Sequence, residues 1–278
     1  MNQKIEMLQI KDLPPDLLDE IQERIKPHII GLMGVNVESS GEKAQLIGSG
    51  TLVQIKNKYG IITAQHLTNK LGKFEKLGLN LETYVHKCEI NNFYLNVIDV
   101  GTFSQDQIGP DLAVIILPEN IISTLKAKKL FWDISNHIQT VLSKPITQNL
   151  RNRLWIVCGF PEVWSKDMGP VAGFDETKSC CCLCGFTGAE EYWTKDEFDY
   201  IKLSVRYENG ADLPKTFGGV SGGGVWSVEL YRSEDGKITS SNPLFLGVAI
   251  RETPTENNLR SIIAHSWRSI YEVVPSKI

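Results

Sequence analysis

The sequence predicts a mostly antiparallel β protein, and three features lead to that prediction. Nine short apolar runs follow one another between residues 28 and 250, among them HIIGLMGVNV, AQLIGSGTLVQI and DLAVIILP. Segments rich in Gly, Pro, Asn and charged residues separate these runs, as turns separate strands. Long helical patterns do not alternate with the runs, so the sequence disfavours a parallel α/β sheet and favours an antiparallel barrel or sandwich.

Helices are predicted at the two ends of the chain. Residues 12–27 open with Asp and two prolines, carry apolar residues at helical spacing from Leu17 to Ile25, and close with a proline. This pattern predicts an amphipathic helix, so residues 1–27 form a helical extension. The segment from Leu259 onward fits helical spacing, but RSIIAH also fits a strand. A strand followed by a C-terminal helix is the favoured interpretation.

Composition excludes several classes of partner. The chain has 278 residues, of which 42% are hydrophobic, and its formal net charge is −4. A chain of this length can bury a substantial core. The negative charge provides no basic field for nucleic acid or for an anionic membrane. We expect neither partner.

The N-terminus and the cysteines bear on location and metal binding. The N-terminus is charged and lacks the apolar core of an export signal, and no apolar run has the length of a membrane span, so we expect a soluble cytoplasmic protein. Four of the six cysteines crowd residues 180–184. Free thiols are expected there, with no metal and no cofactor, because adjacent cysteines cannot all reach one tetrahedral ion.

The stretch FGGVSGGGVW, residues 217–226, places five glycines around Ser221. Glycine is usually kept where the backbone takes positive φ or closely approaches another group. Such a turn can hold a serine hydroxyl outward beside free backbone N–H groups, as a nucleophile and its oxyanion site require. The same letters also fit an ordinary Gly-Ser loop, and this stretch alone does not decide between the two.

Two other stretches favour the nucleophile. The run YGIITAQHL ends a β-type segment at His66, and GPDLAVIILP places Asp111 at the head of an apolar run, where a carboxylate is costly without a partner. The chain order is His, Asp, Ser, with spacings of 45 and 110 residues. The remaining histidines (His28, His86, His137 and His265) lack such a context and are interpreted as structural.

These motifs carry a resemblance to a family. ITAQH, DLAVIIL and GGVSGGG resemble the three active-site signatures of the trypsin-like, chymotrypsin-fold serine peptidases. GSGTLV resembles the strand before the histidine motif in bacterial members, and LFLGVAI resembles the strand after the serine. The match runs from about residue 28 to the C-terminus and indicates a bacterial-type intracellular member.

The resemblance implies an all-β fold of two antiparallel six-stranded barrels. The first barrel would span residues 28–135 and carry His66 and Asp111, and the second would span residues 136–278 and carry Ser221. Ser221 would attack the peptide carbonyl, His66 would transfer the proton, and Asp111 would orient the imidazole. The backbone N–H groups of Gly219 and Ser221 would form the oxyanion hole.

The resemblance also bears on specificity. The residue six positions before the nucleophile lies at the base of the family's specificity pocket, and here it is Lys215. A lysine there would favour Asp or Glu in the substrate. The alternative is a realigned loop in which Lys215 points to solvent.

Three residues depart from the family pattern. Leu67 stands where secreted relatives have cysteine, Gln65 replaces a small residue, and Val220 replaces the aspartate before the serine. Val220 cannot form the ion pair that activates digestive members of the family. We therefore expect the unprocessed chain to be active as made, or to be activated by a protein partner or ligand that orders residues 218–222.

The sequence thus predicts a regulated serine endopeptidase that hydrolyses peptide bonds through an acyl-enzyme intermediate, with a protein or peptide as substrate. Two other functions stay open. One is a catalytically silent module of the same fold that binds a peptide by strand addition. The other is an esterase that uses the same triad.

Overall fold

A computed structural model of the chain describes residues 3–4, 10–39, 41–81, 88–102, 108–144, 146, 150, 153–171, 174–180, 182–207 and 213–278. His86 and Cys181 lie outside the described residues, as do residues 1–2 and 5–9 of the predicted N-terminal extension. Strands dominate the described part of the chain. They are β1 (Gln3–Lys4), β2 (Ile29–Glu38), β3 (Gly41–Ile55), β4 (Lys58–Thr63), β5 (Lys76–Asn80), β6 (Glu89–Asn91), β7 (Asn96–Gly101), β8 (Leu112–Ile116), β9 (Trp132–Asp133), β10 (Leu154–Gly159), β11 (Lys166–Val171), β12 (Phe174–Ser179), β13 (Leu183–Lys195), β14 (Phe198–Arg206), β15 (Gly224–Val228), β16 (Leu230–Arg232), β17 (Ile238–Ser240), β18 (Leu244–Glu252) and β19 (Leu259–His265).

Helices are short and lie between or beside the strands. They are α1 (Pro15–Ile25), α2 (Gln65–Leu71), α3 (Glu119–Lys126), α4 (Ile134–Leu142) and α5 (Val274–Lys277), and a π-helical turn, Ser269–Val273, runs into α5. The predicted N-terminal helix is α1, and the C-terminal segment is a strand followed by a helix, as the sequence favours. The sequence patterns do not predict α2, α3 or α4. No helix in the described segments combines the length and apolarity needed to span a membrane.

The C-terminal half forms a closed barrel. Its six strands follow the order β10-β13-β14-β19-β18-β15, and β15 pairs back onto β10, with Ile156 opposite Trp226. All of these pairings are antiparallel. Closure leaves no free edge in this sheet. One of the two predicted six-stranded barrels is therefore present as predicted.

The N-terminal half forms a curled sheet that has the shape of half a barrel. Its strands follow the order β6-β5-β2-β3-β4-β8-β7, with the short β9 parallel to β3, and within the described residues β6 and β7 do not pair. β6 contains three residues and leads directly into a 3-10 turn at Asn92–Tyr94. So short an edge offers few ladder hydrogen bonds, and among the described residues this half is a curled half-barrel sheet, which is consistent with the predicted pair of barrels.

The larger apolar core joins the barrel to α1. Trp155, Tyr200 and Trp226 are fully buried in it. Leu17, Ile21 and Ile25, four residues apart along one face of α1, are buried in the same cluster. Burying side chains of this kind stabilises the fold by about 1.5–3 kcal/mol each. The helix of the predicted extension thus belongs to the core of the protein.

His28 lies where α1 meets this core. Its ring contacts Trp226 and Trp132, with centroid distances of 5.3 and 5.7 Å, and its Nδ1 lies 3.0 Å from the Leu130 carbonyl oxygen. Because a carbonyl oxygen only accepts, Nδ1 carries the proton and donates. Burial lowers the pKa of His28 to about 4. The folded protein therefore keeps this imidazole neutral.

Acidification should destabilise the protein through His28. Its pKa is about 4 in the folded protein, against the ordinary value of 6.5 in an unfolded chain, so the unfolded state binds the extra proton between these values. At about 1.4 kcal/mol per pKa unit, the neutral His28 contributes about 3 kcal/mol to the free energy of unfolding. It is complete above pH 6.5 and is lost as the pH falls toward 4. Denaturant unfolding at several pH values should show that His28→Leu weakens this dependence; an unchanged pH dependence in the variant would contradict the assignment.

Candidate active site

His66 is placed by the junction between β4 and α2. The strand ends at Thr63, and α2 begins at Gln65, so His66 lies in the first helical turn. The next residue, Leu67, is 1% exposed. A Cβ atom at Gly48 would lie 2.3 Å from its Cδ1 atom, so the glycine of the GSGTLV motif makes room for this side chain. Leu67 therefore anchors the start of α2 against β3.

Asp111 holds His66 by two hydrogen bonds. It immediately precedes β8, which pairs with β4, so residues 45 positions apart in sequence lie side by side. Asp111 Oδ2 lies 2.7 Å from His66 Nδ1, and Oδ1 accepts a hydrogen bond of 2.8 Å from the His66 backbone N–H. Since a carboxylate only accepts, His66 Nδ1 carries a proton. When the ring is neutral, its Nε2 is left as the basic atom.

Ser221 lies in a turn that only glycine-rich sequence can form. Gly219 and Gly222 have φ values of +86° and +82°, where side chains are strained. A Cβ atom at Gly222 would lie 2.1 Å from the Ser49 carbonyl oxygen, and one at Gly223 would lie 2.0 Å from the Cys158 carbonyl oxygen. The Ser221 hydroxyl lies 3.4 Å from the Ile250 carbonyl oxygen, at the long limit of a hydrogen bond.

Ser49 fastens this turn to the N-terminal sheet. Its backbone N–H donates to the Ser221 carbonyl at 2.9 Å, and its hydroxyl donates to the Gly219 carbonyl at 2.6 Å. The same hydroxyl accepts a hydrogen bond of 2.8 Å from the Phe160 backbone N–H. Ser49 is fully buried. It belongs to the motif GSGTLV, from which no role was predicted for it; a polar residue inside a buried strand is the signal that could have found it.

The backbone N–H groups of Gly219 and Ser221 remain as donors on this turn. The Gly218 carbonyl accepts from the Glu162 N–H at 2.7 Å, so both carbonyls before Val220 are occupied. Within the described residues, no group accepts a hydrogen bond from the backbone N–H of Gly219 or of Ser221. Both residues line the same cleft. The arrangement can therefore offer two N–H groups to an oxyanion.

The cleft has a volume of about 390 Å³, and His66, Gly219 and Ser221 line it together. Ser221 also lines a second, smaller pocket of about 80 Å³, next to Ala249 and Ile262. The serine therefore lies where two cavities meet. Lys215, predicted at the base of a specificity pocket, is exposed and belongs to the lining of neither cavity.

The five described cysteines carry free thiols. Cys158 Sγ lies 3.2 Å from Cys184 Sγ across paired strands, and burial raises the pKa of the Cys158 thiol. Cys182 is half-buried. In the part of the chain that the structure describes, no three His, Cys, Asp or Glu side chains are grouped so that they could hold a metal ion.

His265 contacts the site from the barrel side. It is fully buried, and its Nε2 atom accepts a hydrogen bond of 3.0 Å from the Asp111 backbone N–H. Burial lowers the pKa of His265 to about 3, so the ring stays neutral. The sequence indicated only a structural role for this residue, because no local pattern reports a contact between residues 154 positions apart.

No family model matches the chain, and no curated protein matches it. Among solved structures, it is similar to the active form of the Rv3671c protease from M. tuberculosis, at 12% sequence identity and a TM-score of 0.46, with 96% of this chain and 87% of that chain covered. It is also similar to a structure from work on the coupled folding and binding of the intrinsically disordered Sesbania mosaic virus VPg protein. That similarity has 12% identity and a TM-score of 0.42, with 88% of this chain and 89% of that chain covered. At these values the similarities assign neither a family nor an activity to the chain.

Proposed function

We propose that the chain is an intracellular serine endopeptidase in which Ser221 is the nucleophile, His66 the general base and Asp111 the residue that orients His66. The observation that carries this proposal is the 2.7 Å contact between His66 Nδ1 and Asp111 Oδ2 beside a cleft that His66 shares with Ser221. The carboxylate fixes the tautomer in which His66 Nε2 can accept a proton. It also stabilises the imidazolium that forms during the reaction.

The reaction begins when the Ser221 hydroxyl turns from the Ile250 carbonyl toward His66 Nε2. As Oγ bonds to the peptide carbonyl carbon, its proton passes to Nε2. The C–N bond then breaks, and His66 gives this proton to the leaving amine. Water attacks the resulting ester, again through His66, and Ser221 recovers its proton when the C–Oγ bond breaks.

The tetrahedral intermediates carry negative charge on the former carbonyl oxygen. The N–H groups of Gly219 and Ser221 are the donors that we assign to this oxygen. Loss of one donor in such a site costs about 3 kcal/mol of transition-state stabilisation. Ser49 supports both donors indirectly, because it holds the carbonyl oxygens of the same two residues.

We also propose that the chain is active without proteolytic processing, although a partner or ligand could still regulate it. Val220 is 1% exposed and apolar, so the turn is not built on an ion pair at this position. The hydrogen bonds from Ser49 hold the turn instead. Moreover, α1 buries its apolar face in the main core, which argues against its removal during activation.

The two cavities suggest which part of a substrate lies where. His66 must face the leaving amine, so the larger cleft, which His66 lines, would receive the residues after the scissile bond. The pocket of about 80 Å³ is lined by Ser221 but not by His66, and it would receive the side chain before the scissile bond. Ala249, Ile262 and Phe217 give this pocket an apolar lining.

The small volume of this pocket and its apolar lining favour a small apolar side chain. The volume is about one fifth of that of the cleft, 80 against 390 Å³, so this pocket suits a smaller side chain than the cleft does. Arg251 and Glu252 also line it, and the Glu252 carboxylate already accepts from the Phe217 N–H at 2.8 Å and bonds to Arg260. We therefore propose that alanine-sized residues precede the bond that is cut.

The nucleophile can be tested by Ser221→Ala. Peptide hydrolysis should fall about a millionfold, toward the residual level left when a triad serine is removed, while the fold stays intact. Hydrolysis of a peptide library by purified wild type and variant measures this change. Ser123→Ala, which alters an exposed serine of α3, should leave the activity unchanged. Full activity in Ser221→Ala would exclude the proposal.

The same assay separates the alternative functions. Wild-type protein that binds peptides but hydrolyses neither peptides nor esters would favour the silent binding module. Turnover of esters alone would favour the esterase. Peptide turnover that depends on Ser221 supports the endopeptidase.

The pocket can be tested by Ile262→Ala. Wild type should prefer Ala over Leu or Phe before the scissile bond, and the variant should shift the ratio of kcat/KM values toward the larger residues by about tenfold or more. Ile263→Ala is the matched control, since this buried neighbour on β19 does not line the pocket. Lys215→Glu should change nothing. A preference for Asp or Glu that Lys215→Glu abolishes would instead place Lys215 in the pocket.

A further inference from the structure

A second set of His, Ser and Asp side chains lies buried behind Asp111. His265, Ser269 and Asp199 are all 0% exposed. His265 ends β19, Asp199 belongs to β14, and Ser269 begins the π-helical turn near the C-terminus. Since no solvent or substrate reaches them, these residues do not form a second active site. Their hydrogen bonds lead toward Asp111 instead.

Each hydrogen bond in this set has a defined direction. The Asp111 N–H donates to His265 Nε2 at 3.0 Å, so Nε2 is unprotonated and Nδ1 carries the proton. Nδ1 then donates to the Ser269 hydroxyl at 3.2 Å. That hydroxyl donates to Asp199 Oδ1 at 2.7 Å and accepts from the Asp199 N–H at 3.0 Å. The tautomer of His265 is thus set by its partners on both sides.

Packing also fixes the ring. The His265 imidazole lies 4.9 Å from the Tyr200 ring and 5.4 Å from the Phe198 ring, measured between centroids. Asp199 is held in turn by the backbone N–H groups of Ser269, at 2.7 Å, and Arg268, at 3.1 Å. The barrel therefore presents one immobile acceptor, His265 Nε2, to the N-terminal sheet.

Asp111 needs such an acceptor. It precedes β8, whose ladder begins at Leu112, so its own N–H has no partner in the sheet. Both of its carboxylate oxygens bond to His66, which requires the Asp111 backbone to keep one position. An unpartnered buried N–H would favour movement of that backbone. Burial also keeps His265 neutral, with a pKa of about 3, so it remains an acceptor.

We propose that His265 is a positioning residue, which fixes the Asp111 backbone from the barrel so that the carboxylate holds His66 in its reactive orientation. The proposal rests on the proposed function, because it gives Asp111 and His66 the roles assigned there. Asp199 and Ser269 act through His265, because their hydrogen bonds set its tautomer and its position.

The test compares a variant that removes the hydrogen-bond acceptor at position 265 with a variant that keeps one. His265→Leu removes it, whereas in His265→Gln the Oε1 atom takes the place of Nε2 along the side chain and can still accept. His265→Leu should lower kcat about 10- to 100-fold with KM little changed, since a misplacement of about 1 Å can cost about 100-fold. His265→Gln should recover most of the loss. NMR of the His66 Nδ1 proton should show its downfield resonance in wild type and in His265→Gln but not in His265→Leu.

His28→Leu is the matched control, because it also removes a buried neutral histidine but lies outside the cleft lining. It should lose stability and keep wild-type kcat. Equal loss of kcat in His28→Leu and His265→Leu would overturn the proposal, because general destabilisation would then explain both. A wild-type resonance and kcat in His265→Leu would also overturn it.

A measurement on the wild type covers the case in which His265→Leu does not fold. The imidazole nitrogen shifts of His265 should show the Nδ1–H tautomer, and an Nε2–H tautomer would overturn the proposal, because Nε2 could not accept from Asp111. The NMR measurements test the hydrogen bond between the Asp111 N–H and His265 Nε2 even if the protein hydrolyses no peptide. Failure of the proposed function would appear as absent hydrolysis in wild type, and failure of this inference as an unaltered His66 resonance in the variant.

Discussion

The candidate site depends first on the Asp111 carboxylate. It is 2% exposed, and each of its oxygens accepts a hydrogen bond from His66, one from the side chain and one from the backbone. A buried carboxylate is costly unless such partners satisfy it. The pairing of β4 with β8 brings the two residues together, and α2 begins where the backbone N–H of His66 faces Asp111. The chemistry proposed for His66 follows from this contact, because it determines which imidazole nitrogen faces the cleft.

The two β units meet at Ser49 and at the backbone of Asp111. Ser49, from the N-terminal sheet, bonds the carbonyl oxygens of Gly219 and Ser221, which belong to the barrel. In the opposite direction, His265 of the barrel accepts from the Asp111 N–H of the sheet. Each unit therefore fixes a group carried by the other. The glycines of the turn permit this close approach, since a Cβ atom at Gly222 would lie 2.1 Å from the Ser49 carbonyl oxygen.

Sequence patterns predicted the parts of the structure that local rules determine. The nine apolar runs indicated nine of the 19 described strands, proline and helical spacing indicated α1, and the glycines around Ser221 indicated a strained turn. The motifs selected His66, Asp111 and Ser221, of which the structure places the first two in contact and the third on the same cleft. Long-range contacts were missed: Ser49 and Gly219 are 170 positions apart, and Asp111 and His265 are 154 apart, so no local pattern records them. The edge of the N-terminal sheet was likewise missed, because β6 has only three residues and is too short to give an apolar run.

We propose that the fold makes one serine, Ser221, nucleophilic. Reaction of the native protein with a serine-directed phosphonate, followed by peptide mapping to locate the adduct, tests this directly. We predict a single adduct on Ser221 that forms in the folded wild type and is nearly absent in His66→Ala, because the hydroxyl then lacks its base. An adduct on another serine, or equal labelling of Ser221 in the His66→Ala variant, would contradict it.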